Sequence, residues 1–566
     1  MHKARSGKSG PHGKMAEGGR RVGDNAPHLG FLRGCFCILA GLFVANFSAC
    51  SRETAVQQGN RAQVLERGLG SAEPATLDPQ LATQAGEFNV LAALFEGLVV
   101  EDPVDLHPVP GVAEAWDVSP DKLTYTFHLR ATAKWSNGDP VTARDFLESF
   151  RRALTPALAA PNAPLLDVIQ GAEAARRGSS HDPAEVGIAA PDDRTLRVTL
   201  DHASPTFLAI LTHPICYPVH LASIAQSGPA DSRTTDWARP GRLLGNGPFN
   251  LTGWQPGQEI TVEKSATYWD AATVRLTAIH FYPLDPEAEE RAFRAGQLHL
   301  TDALPPAKVD LWRKDPSGAL RTDPLLGTYF YRLNTLRPYL DDAKVRRALA
   351  LAVDRRAIVE KILRGGQLPA ATFVPPTLAG YAPPPGLPTD FAAARKLLAD
   401  AGFPGGAGLP PLELLYNTSD THRVIAEAVQ EMWRRELGVT VRLVNEENAS
   451  VLAARSTGSY QILRSSWTAD FADPASFLDL WTRASGNNFT GWSSADYDSL
   501  VRRAALATAL PARAELYRQA EAVLLDGVPM IPIYHYTHVY LVASAVQGWF
   551  PTLLDHHPYK HVWLKE

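Results

Sequence analysis

Alternation of apolar and polar residues predicts several half-buried strands. Leu123, Tyr125, Phe127 and Leu129 are separated by polar residues, and a period of two is typical of a strand with one buried face. Apolar runs and aromatic stretches bounded by turn residues predict further strands at 65–69, 196–200, 327–333, 412–416, 439–443 and 528–542.

Helical spacing and capping residues predict the elements between these strands. Thr142 and Asp145 have the spacing of a capping box, and Asp342 precedes a segment with helical periodicity. A helix is predicted from Glu87 to Gly97, closed by the glycine. Two more helices are predicted at 495–506 and 511–525.

Residues 412–443 form a predicted βαβ unit. The strand 412–416 is followed by a polar loop at 417–422, a helix that Gly438 ends, and the strand 439–443. Open α/β sheets place ligands at the carboxyl ends of their strands. The loop 417–422 and the turn 465–470 are both such ends, and we expect them to face one cleft.

Composition and charge exclude several classes of protein. The chain has 566 residues, 45% of them apolar, which is enough for two or three domains. A net charge of −5 with interspersed signs argues against a nucleic-acid surface. Beyond residue 50, Cys216 is the sole cysteine, so we predict no disulfide within the body of the chain, no metal site and no cofactor.

The N-terminus has the pattern of an export signal. Basic residues precede an apolar run at 31–48, and small residues come directly before Cys50, as in a secretory signal peptide. We therefore interpret residues 1–50 as a signal peptide. The small residues before Cys50 also resemble a lipobox, so the expected location is the periplasm, either free or lipid-anchored through Cys50.

Two aspartates follow the apolar strand that contains Arg464. Asp473 precedes a proline and an apolar helix start, so it has a structural role as a helix cap. Asp470 has no such role. On the residues alone it is either a solvated turn acid or a carboxylate that meets a cationic ligand.

The segment 467–478, Trp-Thr-Ala-Asp-Phe-Ala-Asp-Pro-Ala-Ser-Phe-Leu, resembles a motif of the oligopeptide-binding proteins of ABC importers. Two further signatures of that family recur, Glu-Pro-Ala-Thr-Leu-Asp-Pro at 73–79 and Lys-Trp-Ser-Asn-Gly-Asp-Pro-Val-Thr at 134–142. The resemblance implies an α/β, two-lobed periplasmic-binding-protein fold of type II, cluster C, with an extra α+β domain and a two-strand hinge. Its implied boundaries are 51–99, 236–326 and 539–566 for lobe I, 100–235 for the extra domain, and 327–538 for lobe II.

The resemblance also implies a set of ligand-binding residues. Asp470 matches the acid that binds the α-ammonium group of a peptide. A buried ion needs an opposite charge, so the peptide carboxylate needs a cation as well. The candidate set consists of Asp470, the cations Arg464, His422 and Arg455, the neighbouring Trp467 and Ser466, and the helix residues Glu87 and Asn89.

Four positions depart from the family pattern. Gly327 and Thr468 stand where enterobacterial members have a pair of cysteines. Leu363 replaces a lysine, with Arg364 beside it, and Asn448 replaces a tryptophan. We therefore expect the preferred peptide length and composition to differ from those of the enterobacterial members.

The sequence thus predicts a receptor that captures oligopeptides and delivers them to an inner-membrane permease with ATPase subunits. The expected receptor is monomeric, binds no nucleic acid and is not an enzyme, since the chain has no His-Glu-x-x-His or Gly-x-Ser-x-Gly motif. Receptors of the same fold for dipeptides, murein peptides, opines or a nickel complex remain open alternatives. A secreted hydrolase is the alternative from a different class.

Overall fold

The structure is a computed structural model, and it describes residues 53–566 apart from Ala72, His181 and Thr235. The predicted signal peptide and the lipobox cysteine lie outside the described residues. Within the described part, no helix has both the length and the apolar character needed to cross a membrane.

Eighteen strands account for the β-structure of the described residues. They are β1 (Val64–Gly68), β2 (Val99–Glu101), β3 (Pro108–Pro110), β4 (Ala113–Val118), β5 (Thr124–Leu129), β6 (Ile188–Asp192), β7 (Thr195–Thr199), β8 (Phe249–Gln255), β9 (Glu259–Lys264), β10 (Ala278–Tyr282), β11 (Leu320–Leu333), β12 (Leu368–Pro369), β13 (Leu412–Asn417), β14 (Val441–Glu446), β15 (Ile462–Thr468), β16 (Met530–Leu541), β17 (Val546–Gln547) and β18 (Trp563–Leu564).

Sixteen α-helices pack between and around these strands within the described residues. They are α1 (Ala55–Ala62), α2 (Ala85–Leu94), α3 (Ala143–Ala153), α4 (Ala172–Arg176), α5 (Phe207–Ile210), α6 (Leu221–Ala225), α7 (Pro286–Arg294), α8 (Pro306–Arg313), α9 (Ala343–Leu351), α10 (Arg355–Ala357), α11 (Phe391–Asp400), α12 (Asp420–Leu437), α13 (Asn448–Thr457), α14 (Ala475–Leu478), α15 (Ala495–Leu506) and α16 (Leu510–Gly527).

A six-stranded sheet in the order β12-β16-β11-β15-β13-β14 carries the second half of the chain. β13 is parallel to both β14 and β15, whereas β11 is antiparallel to β15 and β16. The predicted βαβ unit is confirmed as β13–α12–β14. The carboxyl ends of β13 and β15 lie at the same edge of the sheet, because the two strands are parallel neighbours.

Two four-stranded sheets are built from the first half of the chain. One has the order β1-β10-β9-β8 and pairs residues near 64–68 with residues 249–282. The other has the order β4-β5-β7-β6 and lies within 113–199, inside the stretch that we predict as the extra domain. In β5 every second residue is buried, as the alternation predicted.

β11 and β16 run side by side through two separate ladders. Residues 320–324 pair with 537–541, and residues 328–332 pair with 530–535, with a register shift between Pro324 and Thr328. Thr301 N–H donates to the carbonyl of Leu541 at 3.0 Å, and Leu300 bridges both Arg67 of β1 and Val542. The two strands therefore connect the six-stranded sheet to the sheet of β1, the arrangement expected of a two-strand hinge.

The helix predicted from Glu87 to Gly97 has different ends. α2 begins at Ala85, where the Glu87 carboxylate accepts the backbone N–H of Gln84, the residue before the helix, at 3.0 Å. It ends at Leu94, and Phe95 then takes an extended conformation with φ −130°. The prediction that Gly97 ends this helix was wrong. Gly97 instead lets the chain pass close to Leu211, whose carbonyl oxygen would lie 3.2 Å from an added Cβ.

The predicted loop at 417–422 is shorter than expected. Ser419 caps α12 through the backbone N–H of His422, so His422 lies in the first helical turn rather than in a loop. Arg455 lies in the last turn of α13, and the positive φ of Gly458 ends that helix. The capping box of Thr142 and the helix stop at Gly438, with φ 68°, are confirmed.

Candidate functional site

The candidate site begins where β15, in the interior of the six-stranded sheet, runs into a tightly held turn. The backbone N–H of Ala469 donates to the carbonyl of Leu326 on β11 at 2.8 Å. The N–H of Asp470 donates to Ser476 Oγ at 2.8 Å, and Trp467 Nε1 donates to the Ser476 carbonyl at 2.6 Å. These bonds fix the backbone on both sides of the candidate acid.

The negative charge of the Asp470 carboxylate has no close partner among the described residues. Within the described residues no hydrogen bond or ion pair reaches its oxygens, although its backbone N–H is satisfied. Burial raises the pKa of Asp470 to about 6, and the positive charge of His556 opposes this rise. The residue is only partly shielded from water, so an approaching cation has access to a carboxylate that lacks a close partner.

Asp473 has a structural role, as the sequence predicted. Its Oδ1 accepts a hydrogen bond from the N–H of Ala475 at 2.8 Å and pairs with Arg513 at 2.9 Å. Both charged side chains are largely buried. The two aspartates of the motif thus have separate roles, one structural and one available for a ligand.

Arg464 is a cation without an acidic partner in the described part of the chain. Its guanidinium donates to Asn417 Oδ1 at 3.3 Å and to the Tyr536 hydroxyl at 3.1 Å, and lies 4.7 Å from the ring centre of Tyr329. Its Nε is buried and has no hydrogen-bond acceptor within the described residues. An enclosed guanidinium with open donors is well suited to bind a carboxylate.

His422 lies close to Arg464 but carries no charge in the free protein. Its ring centre is 5.6 Å from that of Tyr329, and its Nδ1 is buried with no partner among the described residues. Burial, together with the nearby Arg464 charge, lowers the pKa of His422 to about 3. The neutral ring can offer a hydrogen bond to a ligand.

Arg455 is set apart from this cluster. Its guanidinium lies 4.8 Å from the ring centre of Phe489, and its Nε is buried without an acceptor in the described chain. Burial lowers its pKa. The side chain is therefore partly enclosed, rather than a free surface charge.

Trp467 and Ser466 take different positions on β15. Trp467 is partly buried, packs against the main core and commits its indole N–H to the carbonyl of Ser476. Ser466 is exposed and lies directly opposite Tyr329 in the β11–β15 ladder. Both remain predicted ligand contacts.

Glu87 is buried beneath the loop at 73–79 rather than open to a ligand. Its two carboxylate oxygens accept four backbone N–H groups, from Ala75 and Thr76 on one side and from Thr83 and Gln84 on the other, at 2.7–3.2 Å. The carboxylate therefore holds the shape of this loop, and a contact between Glu87 and a ligand stays a prediction. Asn89, partly buried on the same helix, stays a predicted ligand contact.

Replacing Glu87 by glutamine is expected to lower the free energy of unfolding by about 2 kcal/mol, because charge-assisted hydrogen bonds weaken and one pair of N–H groups meets an amide donor. Urea unfolding at pH 7 measures this change. Glu114→Gln, an exposed residue of β4, is the matched control and should leave stability unchanged. Equal stabilities of the two variants would contradict the assigned structural role.

Several residues around Arg464 were missed as site residues. Tyr329 and Tyr536 come from the two hinge strands, and Asn417 ends β13. The tyrosines were predicted only as members of aromatic strands, since the Tyr329 ring and the Tyr536 hydroxyl meet Arg464 through pairing of segments about 200 residues apart. Asn417 was part of a predicted loop at the end of a strand, and this position was the one sequence signal that it could belong to the site.

The residues that depart from the family pattern have clear positions. Gly327 and Thr468 lie directly opposite each other in the antiparallel β11–β15 ladder. Leu363 is buried, and the adjacent Arg364 pairs with Asp310 at 3.4 Å. Leu363 thus supplies no charge at this position, and the guanidinium beside it already has an acidic partner.

One group of potential metal ligands lies outside the cleft residues. Ligand atoms of Asp102, Asp105 and His107 lie within 4.8 Å of one another. The loop is largely exposed, Asp105 already contacts the His107 ring, and Asp102 accepts the N–H of Val104 at 2.9 Å. The expected absence of a metal cofactor remains a prediction.

The two-lobed α/β fold, with a pair of strands connecting its sheets and an enclosed acid and cation at the strand ends, is the fold of an extracellular solute-binding receptor. The model of the bacterial extracellular solute-binding proteins, family 5 Middle, matches residues 107–489. The chain belongs to this family.

Curated relatives cover nearly the whole chain. The periplasmic oligopeptide-binding protein OppA of Escherichia coli is 35% identical over 524 residues, which cover 90% of this chain and 94% of that protein. The periplasmic murein peptide-binding protein MppA of the same organism is 36% identical over 487 residues, covering 84% and 88%.

Solved structures agree with these relationships. The murein tripeptide-binding protein MppA of E. coli superposes with a TM-score of 0.80 at 34% identity, covering 88% of this chain and 98% of that chain. Haemophilus influenzae OppA in complex with the peptide RPPGFSPFR superposes with a TM-score of 0.79 at 31% identity, covering 89% and 99%.

Proposed function

We propose that this chain is a periplasmic receptor that captures oligopeptides in the cleft between its two lobes and delivers them to an ABC transporter. Asp470 binds the peptide ammonium group, and Arg464 binds the peptide carboxylate. The remaining contacts with the peptide are made by His422, Arg455, Trp467, Ser466 and Asn89. The domain boundaries predicted from the sequence define the lobes.

A single observation carries this proposal: two enclosed groups of opposite charge on one strand and its following turn each lack a charged hydrogen-bonding partner among the described residues. The Asp470 carboxylate accepts no hydrogen bond there, and Arg464 contacts only neutral groups. An enclosed unpaired ion is costly. A zwitterionic peptide neutralises both ions at once.

The spacing of the two charges sets the size of the ligand. Asp470 follows Arg464 by six residues, so their Cα atoms are at most roughly 20 Å apart in an extended chain. A bound peptide has the same rise per residue. Peptides of a few residues therefore bridge the acid and the cation, and longer ones need another carboxylate partner.

Partners and location follow from this role. The permease and the ATPase are separate chains, since a receptor only captures the solute. Export occurs through the signal peptide at 1–50, and the receptor is either free in the periplasm or lipid-anchored through Cys50. The receptor acts as a monomer, needs no cofactor and catalyses no reaction.

The proposal is tested by identifying what the protein carries through purification. The protein is unfolded after purification, and the released small molecules are identified by mass spectrometry. We expect a mixture of short peptides with free amino groups and no common sequence. A single compound without an amino group would contradict the proposal.

The identity of the molecules released from the purified protein also distinguishes the alternative functions. Dipeptides alone, murein peptides, an opine or a nickel complex would each assign a different receptor of the same fold. Incubating the protein with a peptide mixture and measuring its fragments tests the hydrolase alternative. We expect every peptide to remain intact, and cleavage that scales with protein concentration would contradict a pure receptor.

A further inference from the structure

A charged pair from two distant segments of the chain lies near the candidate acid. His556 Nδ1 lies 2.8 Å from Glu101 Oε2, and the Thr212 hydroxyl lies 3.3 Å from Glu101 Oε1. The backbone N–H of His556 donates to Thr552 Oγ1 at 3.0 Å. The imidazole is therefore held in place, while 38% of the side chain stays accessible, as expected for a group that lines a cleft.

The strand β11 links the segment that contains His556 to the segment that contains Asp470. The N–H of Leu326 donates to the carbonyl of Leu553 at 2.7 Å, and the carbonyl of Leu326 accepts the N–H of Ala469 at 2.8 Å. Asp470 is the next residue after Ala469, and His556 follows Leu553 by three. One residue of β11 thus anchors both segments, and each titrating group shifts the pKa of the other.

The charges around His556 favour its protonated form. Burial lowers its pKa, but the carboxylates of Glu101, Asp555 and Asp470 together raise it above the ordinary value. His213 also faces this group, and burial lowers the pKa of His213 to about 3, so that ring is neutral. Asp555 is itself paired with His538 at 2.8 Å and His557 at 2.9 Å.

We propose that His556 is a positioning residue of the amino-terminal pocket: held by Glu101, it faces Asp470 as a cation that keeps this carboxylate ionised for an incoming ammonium group. This role rests on the proposed function of Asp470. The three groups together carry one surplus negative charge, which the peptide ammonium group neutralises.

The pH dependence of peptide affinity tests this role. Asp470 binds an ammonium group only when ionised, so affinity should fall as the pH drops through its pKa of about 6. In His556→Gln the opposing charge is lost, and the midpoint should move up by about one pH unit. Affinity at pH 6 should then fall about fivefold, whereas at pH 8.5, where Asp470 is ionised in both proteins, it should stay close to that of the wild type.

Two further variants distinguish the effect of the charge at position 556 from a structural effect of the substitution. His556→Lys keeps a cation beside Glu101 and should leave the midpoint near that of the wild type. His561→Gln removes a histidine from the same C-terminal segment, away from Asp470, and serves as the control. A loss of affinity in His556→Gln that is equal at pH 6 and pH 8.5 would overturn the proposal.

A measurement without peptide keeps this inference distinct from the proposed function. Carboxyl-13C labelling of aspartate allows the side chain of Asp470 to be titrated by NMR, with its signal assigned by its loss in Asp470→Asn. The Asp470 pKa should rise in His556→Gln and not in His561→Gln. An unchanged Asp470 pKa would overturn the positioning role, whereas a wild-type protein that binds no peptide would instead refute the proposed function.

Discussion

Replacing Asp470 by alanine is expected to weaken the binding of peptides with a free amino group by ~10³-fold, about 4 kcal/mol. The bound ammonium group would then be enclosed beside His556 without its counter-charge, and an unpaired ion in such a site is strongly unfavourable. Isothermal titration calorimetry at pH 7.5 with one short peptide measures the change.

N-acetylated peptides make this test specific for the amino group. The wild type should bind the acetylated peptide about as weakly as Asp470→Ala binds the free one, and the variant should hardly distinguish the two peptides. Asp526→Ala is the control, because that aspartate is 87% exposed and pairs with Arg347 at the surface. An equal loss for both peptides would remove Asp470 from its proposed role.

The free protein should not become less stable in Asp470→Ala. Burial raises the pKa of Asp470 to about 6, above the ordinary value of 3.8. The folded state then binds the proton more tightly than the unfolded chain, so this group favours folding below pH 4 and loses that contribution as the pH rises through about 6. Removing it at pH 7.5 should therefore leave the melting temperature unchanged or slightly raised.

Local signals predicted much of the fold. The alternation in 123–129, the capping box at Thr142 and the glycine stop at Gly438 depend on neighbours within a few residues, and all three are present. The glycine cap at Gly97 was wrong, because tertiary contact with Leu211 decides the role of that residue. The early start of β11 at Leu320 was also missed, since Pro324 interrupts the pattern and distant β16 supplies the pairing.

In the candidate site, too, the residues marked by local sequence signals were predicted and those brought together by distant contacts were missed. Asp470 and Arg464 were predicted because a contiguous motif contains or adjoins them. Glu101 and His556 were missed because 455 residues separate them, and only the packing of the C-terminal segment brings them together. Glu87 was predicted as a ligand contact and stays one; the sequence did not predict that its buried carboxylate also closes a loop, because the backbone groups it binds carry no side-chain signature.

The cation that meets the peptide carboxylate is identified by electrostatics rather than by the motif. His422 is neutral in the free protein, since burial and the Arg464 charge lower its pKa to about 3. Arg455 lies beside Phe489, in the last turn of α13. Arg464 has a buried Nε without an acceptor among the described residues and is adjacent to neutral hydroxyl and amide groups. Of the three, it gains most from a carboxylate.

Replacing Arg464 by methionine is therefore expected to weaken binding of a peptide with a free carboxylate by ~10²-fold, about 3 kcal/mol. The same peptide with an amidated C-terminus should bind the wild type about as weakly, and should lose little further affinity in the variant. Because Arg464 has no acidic partner among the described residues, its removal leaves no buried anion uncompensated, and the melting temperature should not fall. Arg442→Met, at a position 71% exposed on β14, the edge strand of the same sheet, is the control. An equal loss for the acid and the amide would assign the carboxylate to another residue.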